Sequence, residues 1–191
     1  LPIAINTPIN RRAISKFTFN YIEPNLKDLL TGDISTISNL NRHLVRFNAS
    51  PSIKIFVTYI FNYNWFIEKR VNRYDAYKLA NKMDVATCTY CNRNYTSTII
   101  TKNGNKITRP QFDHYLNKSA HPFLALSLYN LIPSCAICNS SVKGSAHFSP
   151  ITHIYPYQDN EIDNFRFTYN FSNSTSSGLE VKINTTAGTR L

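Results

Sequence analysis

Apolar positions along this chain follow two different periods. From about Leu26 to Met83 they recur at helical spacing. Asp33 stands as a cap ahead of a helix through Leu40, Leu44 and Phe47, which Pro51 interrupts. Ser52 is the expected cap of the next helix, Ile53 to Phe66. There Ile55, Phe56, Tyr59, Ile60, Phe61 and Trp65 make an apolar, aromatic segment that reads as a buried core helix. A further helix is expected over roughly Tyr74 to Lys82. The first 24 residues show no clear period and contain three prolines, so they read as a mostly extended arm.

Beyond Cys88 the period shortens to two. Runs from Tyr95 to Thr101 and from Lys106 to Leu116 flank the turn Lys102-Asn103-Gly104-Asn105, and Asn-Gly between two such runs signals a hairpin. In the tail, Phe165, Phe167, Tyr169 and Phe171 alternate, and so do Leu179, Val181 and Ile183. The Ser/Asn-rich stretch 172–177 and Gly178 separate them, which predicts an antiparallel hairpin with one buried face. The fold class expected is α+β. A mainly helical part (1–85) precedes a cysteine-rich β-containing part (86–157) and a C-terminal β-hairpin (158–191).

Composition narrows the classes. With 42% apolar residues in 191, the chain can bury a core. No apolar stretch approaches the ~20 residues of a membrane span. Leu1 to Ile9 is too short for a signal peptide and lacks a basic flank. A soluble, cytoplasmic protein without membrane contact is therefore expected. The formal charge of +10 suits a nucleic-acid partner, which is bound through phosphate neutralisation. Residues 88–153 carry six basic side chains and a single acid, Asp113. A phosphate-facing surface should exclude carboxylates, so one kept there suggests a specific task, such as holding a metal.

The four cysteines form two Cys-x-x-Cys pairs, Cys88/Cys91 and Cys135/Cys138. Each pair can offer two thiolates to one tetrahedral Zn²⁺. Two disulfides, or a redox site, are the alternatives. The first would suit an exported protein, and the second needs one pair in a βαβ setting. About forty residues separate the pairs, longer than a compact zinc ribbon, so something substantial is inserted between the knuckles. It contains Asp113 and His114. Histidine can serve as a general base, and aspartate can hold a hard divalent cation. On a strand, adjacent residues point to opposite faces, so the two converge only at a strand end or in the loop beyond.

The series Cys-x-x-Cys, Phe-Asp-His-Tyr-Leu, Tyr-Asn-Leu-Ile-Pro-Ser-Cys-x-x-Cys-Asn and Lys-Gly resembles the HNH (ββα-metal) endonucleases with zinc knuckles. It is also similar to the HNH effectors of anti-phage systems of the Septu and retron-associated kinds. The likeness covers roughly residues 86–157 and not the helical part or the tail. It implies a ββα-metal module stabilised by structural Zn²⁺ on the four cysteines, acting on DNA with catalytic Mg²⁺ or Mn²⁺. His114 would be the general base and Asn130 the asparagine that braces its loop. Asp113 and Asn139 would be the ligands of the catalytic ion. The motif's final histidine is Asn139 here, which leaves His147 and His153 as alternative ligands. Arg93, Arg109, Lys118 and Lys143 are the candidate phosphate contacts. A partner ATPase or another defence-system subunit also belongs to what the resemblance implies. The alternative function is a non-catalytic zinc-stabilised module that binds nucleic acid or docks a partner.

Overall fold

Asn10 starts the first helix, its side chain accepting from the Ala13 amide at 3.0 Å. A computed structural model of the chain describes residues 9–68, 73–158, 165–171 and 178–185. Helix α1 (Arg11–Phe17) passes through a wider π turn into α2 (Leu26–Thr31). The segment expected as an extended arm is thus helical from Arg11 onward; residues 1–8 lie outside the described residues. Aromatic packing is the reason: Phe17 is buried, with its ring centre 4.9 Å from Phe47 and 6.0 Å from Phe123.

Asp33 caps α3 (Ile34–Leu44) as expected, accepting from the Thr36 amide at 2.7 Å. The next helix differs from expectation. α4 (Pro51–Ile60) starts on Pro51, whose missing N–H is harmless at that position, and Ser50 takes the cap position. Ser52 lies inside the helix, where its hydroxyl accepts from the Asn10 amide. The chain breaks at Phe61, and Asn62 caps a new helix, α5 (Tyr63–Ile67). The buried stripe of α4 runs Ile53, Val57, Phe61 at four-residue spacing, while Tyr59 and Trp65, expected inside, are exposed. Helix α6 (Ala76–Met83) is capped by Asp75, which accepts from the amides of Tyr77 and Lys78.

Strands β1 (Ile99–Ile100) and β2 (Lys106–Thr108) form the hairpin announced by Asn-Gly, with Gly104 at φ +80°. Arg109 and Pro110 end β2, so the long run to Leu116 is two strands and not one. Strand β3 (Gln111–His114) pairs antiparallel with β4 (Leu131–Ser134), with Asp113 opposite Ile132 and His114 opposite Leu131. β4 leads directly into Cys135 and a helical segment with π-type winding (Ile137–Lys143). Two antiparallel strands followed at once by a helix therefore carry the Asp-His pair.

The helices are built around this unit. Phe66, Ala76, Leu79 and Ala80 form one buried cluster with Phe112 of β3 and Leu131 of β4. The β3–β4 connection turns at Pro122–Leu124 against α2, α3 and α4. Polar ties hold the same connection: Asn48 donates to the Ala120 carbonyl at 3.1 Å, and Ser127 donates to the Leu29 carbonyl. Residues up to His147 make one compact unit, and those from Phe148 make another.

In the second unit β5 (Phe165–Phe171) pairs with β6 (Leu179–Thr185), Tyr169 opposite Val181 and Phe171 opposite Leu179. The expected antiparallel hairpin is present. On its expected buried face Tyr169, Phe171, Leu179 and Val181 are all exposed; the side chains of Phe165, Phe167 and Ile183 lie outside the described ones. Alternation fixes which residues share a face and says nothing about what covers it. The turn 172–177 lies outside the described residues. Among the described residues, no helix is long and apolar enough to cross a membrane.

Candidate functional site

The two cysteine pairs, one ahead of β1 in the chain and one directly after β4, come together beside the end of β4. Cys88 and Cys91 sit on a tight loop closed by Asn92 N–H to the Cys88 carbonyl at 2.8 Å, with Asn92 at φ +48°. Thr89 ties that loop to β4, its amide and hydroxyl both donating to the Pro133 carbonyl at 3.2 and 2.7 Å. Cys135 and Cys138 occupy the turn after β4. All four sulfurs are unbridged and lie within 4.8 Å of one another. Four thiolates at ~2.3 Å from a tetrahedral Zn²⁺ would be about 3.8 Å apart, so the cluster can close on a metal ion with small movements.

The electrostatics of the cluster fit a cation. The side-chain amide of Asn94, 3.2 Å from the Cys135 sulfur, pulls that thiol down to about 6, helped by the Cys138 amide. The amides of Arg93 and Asn94 lower Cys91. Burial and the neighbouring sulfurs push Cys138 up instead. Four adjacent thiols cannot all ionise unaided, and a divalent ion removes the conflict.

Asp113 and His114 end β3, and both are buried while lining one cleft of about 380 Å³. The loop connecting β3 to β4 bends the chain there, so neighbours from opposite strand faces reach the same space. The histidine Nε2 lies 3.0 Å from the Ala125 carbonyl. A carbonyl can only accept, so Nε2 carries the proton and Nδ1 is the basic nitrogen of the neutral ring. Burial holds His114 down at about 4, and the charges of Lys118 and Lys143 push the same way, against the Ala125 bond. At neutral pH the ring is uncharged. The Tyr63 ring meets it edge-on at 4.4 Å, and the Tyr63 hydroxyl donates to the Phe112 carbonyl at 3.0 Å.

Asn130 is fully buried beneath this loop. Its carbonyl oxygen accepts from the Leu116 amide at 2.7 Å, and its amide donates to the carbonyls of Leu116 and Leu124 at 3.1 and 3.0 Å. It braces the loop that presents the Ala125 carbonyl, and so acts on His114 through the backbone. Asn139 lines the cleft from the segment after the second knuckle, donating to Gln111 Oε1 at 2.7 Å. Its own Oδ1 is the atom suited to a hard cation.

The Asp113 carboxylate differs from the open ligand expected. One oxygen accepts from the Lys143 ammonium at 2.9 Å and the other from the Tyr90 hydroxyl at 2.5 Å. Lys143, expected as a solvent-facing phosphate contact, is buried and also donates to the His114 carbonyl at 2.7 Å. The π winding after Cys138 brings it back over β3, where Gly144 at φ +52° ends the turn. Tyr90 lies between Cys88 and Cys91, so the cysteine loop itself holds the carboxylate.

The other expected residues are divided. Arg109 and Lys118 line the cleft. The Arg109 guanidinium lies 5.5 Å from the Tyr77 ring centre and 5.7 Å from that of Phe112, and its buried Nε has no hydrogen-bond partner. Arg93 is exposed on the knuckle loop and does not line the cleft. His147 is exposed and likewise absent from the lining. His153 belongs to the second unit, stacked on Phe148 at 4.1 Å with its Nδ1 2.7 Å from the Thr152 hydroxyl. Tyr90 and Tyr63 were not singled out from sequence. Tyr90 carried a usable signal, since it falls inside a ligand pair.

No family model, no curated protein and no solved structure matches the chain.

Proposed function

We propose that this protein is a metal-dependent HNH-type endonuclease that hydrolyses phosphodiester bonds in DNA. One observation carries the reading: a neutral, buried histidine with Nδ1 as its basic nitrogen shares a cleft with Asp113, the single acid of a basic stretch. The hairpin-then-helix order of that stretch, pinned by four clustered cysteines, is the arrangement the ββα-metal resemblance leads one to expect.

His114 would take the proton of an attacking water. Its uncharged state at neutral pH leaves Nδ1 able to accept. Asn130 keeps the ring fixed through the Ala125 carbonyl, and Arg109 and Lys118 would attract and orient the phosphate. Asp113 and Asn139 offer hard oxygens suited to Mg²⁺ or Mn²⁺. Asp113 already balances a cation, the Lys143 ammonium, and a divalent ion would have to take that place on the carboxylate. A divalent ion held there would supply charge stabilisation at the leaving oxygen. The four thiolates would close a zinc ion completely, which assigns it a structural task. The anti-phage role follows from the resemblance alone, and phage DNA is the natural substrate to offer.

The Asp113–Lys143 pair is also what a purely structural carboxylate would show. A non-catalytic zinc module that binds DNA is therefore the second reading. Supercoiled plasmid incubated with Mg²⁺ or Mn²⁺ separates them. The nuclease nicks it, and His114→Ala slows nicking by about 10²–10⁴. Intact plasmid, or a His114→Ala protein that cuts as fast as wild type, leaves only the binding module.

A further inference from the structure

A second cleft, of about 300 Å³, adjoins the first and shares Tyr63 and Lys118 with it. Helices α4 and α5 form one side, through Lys54, Thr58, Asn62 and Asn64. The loop after β3 forms the other, with Lys118 at the junction and Ala125 in the wall. Ala125 is the residue whose carbonyl holds His114. None of the residues lining this cleft is acidic.

Tyr63 lines both spaces. Its ring centre is 4.4 Å from that of His114 and 4.6 Å from the Lys118 ammonium. Successive charges on one DNA strand are spaced by ~3.4 Å along the helix axis, so a strand with one phosphate at His114 brings others to Lys118 and beyond it. The next cation along that wall is Lys54, exposed on α4. Solvated lysines are common on any surface. Lys54 is distinguished by its place in an acid-free wall continuous with the His114 cleft.

We propose that the α4–α5 cleft is a phosphate subsite that seats the DNA backbone next to the scissile phosphate, with Lys54 and Lys118 as its cations. This inference rests on the nuclease reading. It makes the helical part, which the sequence assigned to core packing, half of the substrate groove.

The test uses the zinc-loaded His114→Ala protein, which holds DNA without cutting it. Duplex binding is followed by fluorescence anisotropy between 50 and 200 mM salt, in that background and with Lys54→Glu added. Lys27→Glu, an exposed change that lines neither cleft, serves as the charge-matched control. Lys54→Glu should weaken binding about tenfold at ~0.1 M salt and flatten the logarithmic salt slope by about one. The control should change affinity less than about twofold. Lys54 lies near the N-terminus of α4, where glutamate is favoured by the helix dipole, so lost affinity would not reflect a damaged helix. If Lys54→Glu and Lys27→Glu weaken binding equally, the subsite is wrong while the nuclease reading stands. If wild type neither nicks plasmid nor depends on His114, the nuclease reading falls whatever the slopes show.

Discussion

Replacing Lys143 by methionine tests the centre of the site more sharply than any other change. The Lys143 and Asp113 side chains are 4% and 5% exposed and 2.9 Å apart. Methionine keeps most of the lysine's volume and removes its charge. Asp113 would then stay buried beside the Tyr90 hydroxyl without its ammonium, and the His114 carbonyl would lose a donor. Breaking a buried pair from one side costs about 3–5 kcal/mol, mostly because the remaining charge stays uncompensated. Against a total stability of about 5–15 kcal/mol for a domain, that is a large fraction. Urea unfolding of the zinc-loaded protein at pH 7 should show it as a lower midpoint at unchanged slope. Asp113→Asn in the Lys143→Met background should recover part of the loss, since it removes the stranded charge. Mn²⁺ should stabilise Lys143→Met more than wild type, the variant gaining about 2.7 kcal/mol at a hundredfold excess over its own Kd, because the ion no longer competes with an ammonium. A loss below about 1 kcal/mol, or no gain on adding Asp113→Asn, would refute the buried-pair reasoning.

Three further outcomes are expected. His114 has its native pKa lowered to about 4 by burial, below the ~6.5 of the unfolded chain. Its contribution to stability is therefore complete above about 6.5 and is lost as pH falls towards 4, by up to about 3 kcal/mol. Calorimetry across that window should show a slope that His114→Ala flattens. By the same shift, nicking should not track a titration near 6.5; a rate that halves there would contradict the buried neutral ring. Asn130→Ala removes three buried hydrogen bonds and should destabilise the protein by about 3 kcal/mol in chemical denaturation; a change under 1 kcal/mol would show that the loop holds without its brace. The four cysteines lie close enough to hold a metal ion, and with one bound, its removal by a chelator should abolish the cooperative near-ultraviolet CD transition; a protein that still melts sharply after chelation would show that such an ion is dispensable for folding.

Local chemistry was legible in the residues themselves. Asp33 capped its helix, Asn-Gly made its hairpin, and the spacing of the paired cysteines brought four sulfurs together. These features depend on a few neighbouring residues, and the cysteine spacing carries its geometry with it. Asp113 and His114 stood out because a charge count isolates the one and adjacency supplies the other.

What the chain alone left open depends on contacts between distant segments. Alternation along β5 and β6 marked an apolar face, yet only packing decides whether such a face is covered, and Tyr169, Phe171, Leu179 and Val181 on it are exposed. The break of the aromatic helix at Phe61 set Tyr63 against His114, and no local propensity announces that meeting. Lys143 and Tyr90 reach Asp113 across 30 and 23 residues. An ammonium is drawn to a buried carboxylate because neither charge tolerates burial alone, so the tertiary structure turned a lysine expected at the surface into the partner of the one acid. Residue type and spacing thus determined the candidate groups. The fold decided which of them touch, because burial, and with it pairing and pKa, is a property of the packed chain.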